Sequence, residues 1–256
     1  MRALARTLTR GMANGADAVV TPSGHMRDVL RSYGVKPPVH IVPTGVDDTR
    51  FAADGARRAE CRQRVVAAHP GLAGKKLIFY AGRIGLEKNV GLLVESLRLL
   101  RERRGDVALV IAGDGPYRHH LEHLFKAHGL WDDVRMLGYV DRHELPCWYA
   151  AADAFAFPSR TETQGLVIIE AMLAGTPVVA VGEMGTLMTM GGDNGGFMTR
   201  NDHVEFAARL DELLADDGLW KRKSDDARRH GAEWTVERLT DRLVEVYRGL
   251  VEGGAR

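Results

Sequence analysis

Residues 157–181 read Phe157-Pro-Ser-Arg-Thr-Glu162-Thr-Gln-Gly165-Leu-Val-Ile-Ile-Glu170-Ala-Met-Leu-Ala-Gly-Thr-Pro177-Val-Val-Ala-Val181. An apolar strand runs into a polar turn with one glutamate, a helix carrying a second follows, and another apolar strand closes the stretch. This succession is an α/β crossover, and Glu162 falls in the loop at the carboxyl end of a buried strand, where open α/β sheets bind their ligands. Glu170 lies about two helical turns further on. It interrupts Leu166–Ile169 and Ala171–Ala174, a helix apolar nearly all round, so its charge needs a partner. Ribose hydroxyls would serve, and so would a structural ion pair. Around Glu162, the residues Thr163, Gln164 and Gly165 can point hydrogen-bonding groups into a pocket, and Gly165 and Leu166 open the helix with N–H groups that can face a phosphate or a sugar oxygen.

On both sides of this stretch short apolar runs alternate with helical patterns. The runs are Ala18–Val20, Val39–Val42, Leu77–Tyr80, Val107–Ile111, Val134–Leu137, Ala154–Phe157 and Pro177–Val181. Helices are expected over Val90–Arg103 and Tyr117–His128, and a closing helix follows Thr235, with Val236, Leu239, Leu243, Val246 and Leu250 as its stripe. The pattern predicts an α/β fold, a parallel sheet with helices on both faces.

The chain has 256 residues, 45% hydrophobic and 27% charged, ordinary for a globular protein. A formal net charge of +1 gives no electrostatic reason to expect nucleic acid as partner. Cys61 and Cys147 are too few and too far apart for a disulfide framework or a zinc cluster, and read as free thiols in a reducing compartment. No apolar run approaches the roughly 20 residues needed to cross a bilayer. The start, with arginines at 2, 6 and 10, lacks the apolar core of a secretory signal, so a cytoplasmic protein is expected. The arginine stripe could touch anionic lipid, but reads more simply as a solvated face.

Two further strand-to-helix turns matter. Tyr80-Ala-Gly82-Arg83-Ile-Gly85-Leu-Glu-Lys88-Asn89 combines close backbone approach at Gly82 with two cations, Arg83 and Lys88, where a diphosphate could dock. Ile111-Ala-Gly113-Asp-Gly115-Pro116 supports the fold more than the function, since such turns need glycine anyway. No G-x-G-x-x-G occurs, so a nicotinamide enzyme lacks its fingerprint. His119, His120 and His123 lie on the polar side of an amphipathic helix without the order of a zinc-protease motif. No Asp-x-Asp pair occurs to clamp a metal-bound diphosphate.

With these residues in place, the chain resembles the retaining glycosyltransferases of two Rossmann-like lobes, the GT-B architecture with paired glutamates. The resemblance rests on Pro43-Thr-Gly-Val-Asp47, Ala81-Gly-Arg83 with Glu87-Lys88-Asn89, Ala112–Pro116, Leu137-Gly-Tyr-Val140, and Glu162 with Glu170 ahead of Gly175-Thr-Pro-Val-Val, and it covers about residues 15–250. It implies that Arg83 and Lys88 neutralise the donor diphosphate, that Glu162 contacts the transferred sugar, and that Glu170 binds the ribose. It also implies that Gly165 and Leu166 offer amides to sugar and phosphate, and that Val140 meets the base through its main chain. Glu162, Arg83 and Lys88 are then the catalytic candidates. Gly82, Thr163 and Gln164 join the donor-binding set. Such enzymes need no metal and no cofactor.

The departures are informative. Thr163-Gln164-Gly165 stands where the family commonly has Gly-Phe-Gly, and with Gly182-Glu-Met-Gly185 it is similar to the subset that glycosylates diacylglycerol-type lipids. That implies a lipid acceptor and a peripheral position at the inner membrane surface. Residues 1–48 resemble only the end of the acceptor lobe plus a linker, and 49–256 the nucleotide-sugar-binding domain. The expectation is therefore a donor lobe for a UDP- or GDP-sugar, with acceptor contacts from a partner chain or a homodimer. The alternatives are a non-catalytic nucleotide-sugar-binding module and a nucleotide-sugar epimerase.

Overall fold

The computed structural model describes residues 2–253. The Arg2 side chain, part of the expected arginine stripe, lies outside the described residues, as do residue 1 and residues 254–256 of the two expected domains.

In chain order, helix α1 (Arg2–Ala13), strand β1 (Val19–Thr21), helix α2 (Gly24–Ser32) and strand β2 (Val39–Ile41) come first. Helices α3 (Asp48–Phe51) and α4 (Gly55–Ala68) lead to β3 (Lys76–Ala81), α5 (Gly91–Arg103), β4 (Val107–Ala112), α6 (Arg118–Ala127) and β5 (Val134–Gly138). Then follow α7 (Leu145–Ala151), β6 (Ala154–Phe157), α8 (Leu166–Leu173), β7 (Val178–Val181), α9 (Gly185–Met190) and β8 (Gly196–Thr199). Helices α10 (His203–Ala215), α11 (Asp217–Gly231) and α12 (Val236–Gly253) end the chain.

Two compact units result, residues 1–46 with 234–256, and residues 47–233. The closing helix thus groups with the front segment, where a division at 48/49 had placed it with the larger domain. In the smaller unit β1 and β2 form a two-stranded parallel sheet. Val46 and Thr235 bridge, and Gly45 lies so close to Val236 that a Cβ there would sit 2.5 Å from its Cα. Of the stripe expected on α12, Leu239 is buried, whereas Val236 is 48% exposed. Arg6 of the arginine stripe is exposed, in keeping with a solvated face, and its guanidinium lies over the Tyr33 ring at 5.0 Å.

The larger unit holds a six-stranded, all-parallel sheet in the order β5-β4-β3-β6-β7-β8. Strands β3 and β4 are almost wholly buried because helices cover both faces, which is why they read as unbroken apolar runs. Along β3 the side chains alternate. Ile78 and Tyr80 join Leu93, Leu97, Phe125 and Phe206 on one face, and Phe79 packs against Trp148, Tyr149 and Phe155 on the other. Aspartate caps set the helix starts: Asp54 accepts from the Arg57 amide at 2.8 Å, and Asp202 from the Val204 and Glu205 amides. The chain leaves β3 toward β5 on one side and returns to the other side of β3 with β6. This reversal opens a crevice beyond the carboxyl ends of β3 and β6.

Two expectations need correction. Strand β8 is absent from the expected apolar runs; Gly196 is there because its Cα passes tight against the Val178 carbonyl on β7, leaving no room for a Cβ. And Cys61 and Cys147 are not free thiols. Helices α4 and α7 pack together, bringing these residues, 86 apart in sequence, to a Cα separation of 5.1 Å, and they form a disulfide. Distance along the chain says nothing about proximity across two packed helices, and the paired sulfurs carry no argument for a reducing compartment. Replacing Cys61 by Ser is expected to lower stability by roughly 2 kcal/mol. Urea unfolding with and without reductant checks this: only the unsubstituted chain should respond to reductant.

Candidate functional site

The turns after β3, β4 and β5 close on one another. The Gly82 amide donates to the Ala112 carbonyl at 3.0 Å, and the Gly113 amide to the Gly138 carbonyl at 2.7 Å. A Cβ on Gly113 would lie 2.9 Å from the Gly82 carbonyl carbon and nearer still to its oxygen, and Gly113 itself has φ 143°, so only glycine fits. These turns, with Arg83, Asp114, Tyr139, Val140, Leu145, Val167 and Glu170, line a cleft of about 420 Å³. Of the residues singled out in the sequence, the cleft brings together Gly82, Arg83, Val140 and Glu170.

Glu170 projects from the second turn of α8. Its Oε2 accepts a hydrogen bond from the Tyr149 hydroxyl at 2.8 Å. Burial raises the Glu170 carboxyl above the usual range, and the Tyr149 hydrogen bond, Arg50 and Arg142 oppose that rise. The expectation that this charge needs a partner is met by a neutral hydroxyl and two more distant arginines, with no ion pair among the described residues.

Lys88 and Glu162 stand outside the lining of the cleft and pair with each other, the Lys88 ammonium donating to Glu162 Oε1. Ser159 donates to the same oxygen at 3.0 Å. Both partners of the pair are mostly buried, with side chains 24% and 17% exposed. Arg83 by contrast is exposed and meets Glu87 at 3.4 Å. The Glu162 loop is held from below by α9, whose Gly185 amide donates to the Glu162 carbonyl at 2.9 Å. Gly185 must be glycine, because a Cβ there would lie 2.6 Å from the Gln164 amide nitrogen. Gln164 is 5% exposed, so its side chain belongs to this support and not to an open pocket, while Thr163 is exposed. Gly165 starts α8 in the left-handed conformation (φ 82°), and no side chain caps the helix, which leaves first-turn N–H groups of Leu166 and its neighbours for a ligand.

Three residues had no assigned role in the sequence. Asn89, at φ 55°, donates from one amide nitrogen to the Pro158 carbonyl at 3.0 Å and to Asn201 at 2.8 Å, tying the Lys88 turn to the Glu162 loop. Its quoted place in the motif was the available signal. Ser159 and Tyr149 gave none, since each is a common residue whose partner lies in another element.

Comparison with known proteins accords with this geometry. Residues 64–232 match the family model described as glycosyl transferases group 1, and residues 1–50 match that of glycosyltransferase family 4. The chain is 30% identical to alpha-monoglucosyldiacylglycerol synthase of Streptococcus pneumoniae, over 83% of this chain and 48% of that protein. It is 32% identical to the GDP-mannose-dependent alpha-(1-6)-phosphatidylinositol monomannoside mannosyltransferase of Mycobacterium tuberculosis, over 97% of this chain and 66% of that protein. Among solved structures, HepE of Anabaena in complex with UDP and glucose superposes with a TM-score of 0.83 at 22% identity, covering 95% of this chain and 66% of that one. The chain spans about half to two-thirds of the length of these proteins. With a family match over most of its length, and a parallel sheet whose strand order reverses at β3, the chain belongs to the group 1 glycosyltransferases.

Proposed function

We propose that the chain is the donor-binding part of a glycosyltransferase, taking a UDP- or GDP-sugar in the cleft between the β3, β4 and β5 turns and α8. The observation that carries this reading is Glu170, a largely buried carboxylate facing a glycine-walled cleft with one oxygen engaged by Tyr149. Such a group suits the vicinal hydroxyls of a ribose. On this reading Val140, which also lines the cleft, would meet the base through its main chain, and Arg83 would take the phosphate end. Lys88 and Glu162 would take the diphosphate and the hexose. Cationic support for the departing diphosphate is then the main catalytic contribution, with retention at the anomeric carbon. No step calls for a metal, and EDTA is expected to leave nucleotide affinity unchanged.

We propose a lipid-type acceptor, supported by the Thr163-Gln164-Gly165 variant and by relatives named for diacylglycerol and phosphatidylinositol substrates. Among the described residues no helix is long and apolar enough to cross a membrane. The reading places the acceptor contact at the cytoplasmic membrane surface, on the strength of those lipid-named relatives. Further acceptor contacts would come from additional chain, a partner or a second copy. The apolar side chains that α1 exposes, Leu4 at 65%, Leu8 at 57% and Met12 at 80%, support an added interface.

The test is calorimetric titration with UDP, GDP, UDP-glucose and GDP-mannose beside an assay for free nucleotide release in the presence of membrane lipid. Binding with release supports the transferase, and binding without release in any lipid favours the alternative of a binding module. Arg83→Ala is expected to weaken the diphosphates roughly tenfold, one charge-assisted contact at an exposed position. Uridine, which has no phosphate, should bind the two proteins equally.

A further inference from the structure

The Tyr149 hydroxyl is fully buried in apolar surroundings, and Glu170 is its hydrogen-bond partner. The ring is fixed by Phe79 at 5.2 Å, Phe155 at 5.3 Å and Phe51 at 5.9 Å. Its backbone is fixed as well: Thr176 Oγ1 donates to the Tyr149 carbonyl at 2.6 Å, and Arg58 donates to that same Thr176 oxygen at 2.7 Å. So rigid a donor leaves the carboxylate one low-energy orientation, with Oε2 turned to the protein. Among the described residues no donor meets Oε1, which is the oxygen left for a ligand.

We infer that Tyr149 is a positioning residue for nucleotide binding, orienting the Glu170 carboxylate and holding it in its ionised form. This rests on the donor-cleft reading above. Burial drives Glu170 toward protonation, and a protonated carboxyl would lose the strong acceptor that a ribose diol needs. The Tyr149 hydrogen bond is the largest influence opposing that drive. The charged groups acting with it are Arg50 of α3 and Arg142 of the β5–α7 loop, which are joined by a bond from the Arg50 guanidinium to the Arg142 carbonyl at 2.7 Å. Tyr80 of β3 is the further titratable group near Tyr149. Burial and the adjacent Glu170 raise the Tyr149 phenol well above its ordinary value, so it remains a proton donor throughout the neutral range.

The sign follows. Removing the hydroxyl removes an influence that lowers the Glu170 pKa, so the carboxyl should take up its proton at higher pH, and nucleotide affinity should fail at higher pH with it. The experiment compares the unsubstituted chain with Tyr149→Phe and Glu170→Gln by titration with UDP and GDP from pH 5 to 8. Alongside, the Glu170 carboxyl carbon is followed by NMR in the free proteins. For Tyr149→Phe we expect roughly tenfold weaker binding at neutral pH, with the fall in affinity and the carboxyl midpoint both moved upward. Glu170→Gln should bind weakly and keep only the pH dependence of the ligand's own terminal phosphate, which ionises at about pH 6. If the phenylalanine variant is too unstable to measure, 3,5-difluorotyrosine at position 149, a stronger donor, should move both midpoints downward. Unchanged affinity and unchanged midpoints in the Tyr149 variants would overturn the inference. Full affinity in Glu170→Gln would overturn the ribose reading itself, a result separable from the first because the free-protein midpoint needs no ligand.

Discussion

Glu170→Ala should bind UDP and GDP about a hundredfold more weakly than the unsubstituted chain. Two hydroxyls of one ribose can share the carboxylate, and charge-assisted hydrogen bonds contribute roughly 1.5–3 kcal/mol each before losses on both sides are counted. The alanine leaves a second deficit, because the buried Tyr149 hydroxyl then has no acceptor. Stability therefore needs to be measured in the same variant. Removing the carboxylate also removes a group whose burial works against ionisation, so the two stability effects partly cancel and the affinity loss should exceed the change in unfolding free energy. Calorimetry together with urea unfolding separates them. An affinity within threefold of the original would rule out the ribose contact.

Gly113→Ala should be strongly destabilising. Its Cβ would collide with the Gly82 carbonyl at the place where the β3 and β4 turns touch, and alanine would have to adopt φ 143°. Overpacking and a forbidden backbone region each cost about 1–3 kcal/mol, so a loss of roughly 3–5 kcal/mol is expected. Any folded fraction should also have a distorted phosphate-side wall, because relief of the collision moves Gly82. Chemical denaturation reads the first effect and UDP titration the second. A control at Gly105, where nothing lies within 4 Å of an added Cβ, should cost little.

Most of the sheet was legible because its strands are buried on both faces and bounded by glycine, proline or charge. The β3, β4, β6 and β7 runs could be read almost to the residue. Strand β8 was not, since four residues starting with Gly196 carry neither alternation nor an apolar run, and the strand exists by tertiary pairing with β7. The cleft was legible in part. Gly82, Arg83, Val140 and Glu170 meet there because each follows a strand end or begins a crossover helix, positions that sequence marks well. Tyr149 and the Cys61–Cys147 bond were not legible, as both depend on which face α7 turns to α4 and α8. The burial of Gln164 was not legible for a related reason: its loop is underpinned by α9, and a polar side chain on such a loop is taken inward.

The contact between Lys88 and Glu162 has a consequence for selectivity. On the proposed reading, each of these groups satisfies the other while the crevice is empty, so neither is on offer to passing ions. Inorganic phosphate could solvate the ammonium but would strand the carboxylate, and a free hexose would do the reverse. Only a molecule carrying an anion and an array of hydroxyls at the right spacing can divorce the couple and satisfy both members at once. The resting crevice would thereby discriminate against the fragments of its own substrate.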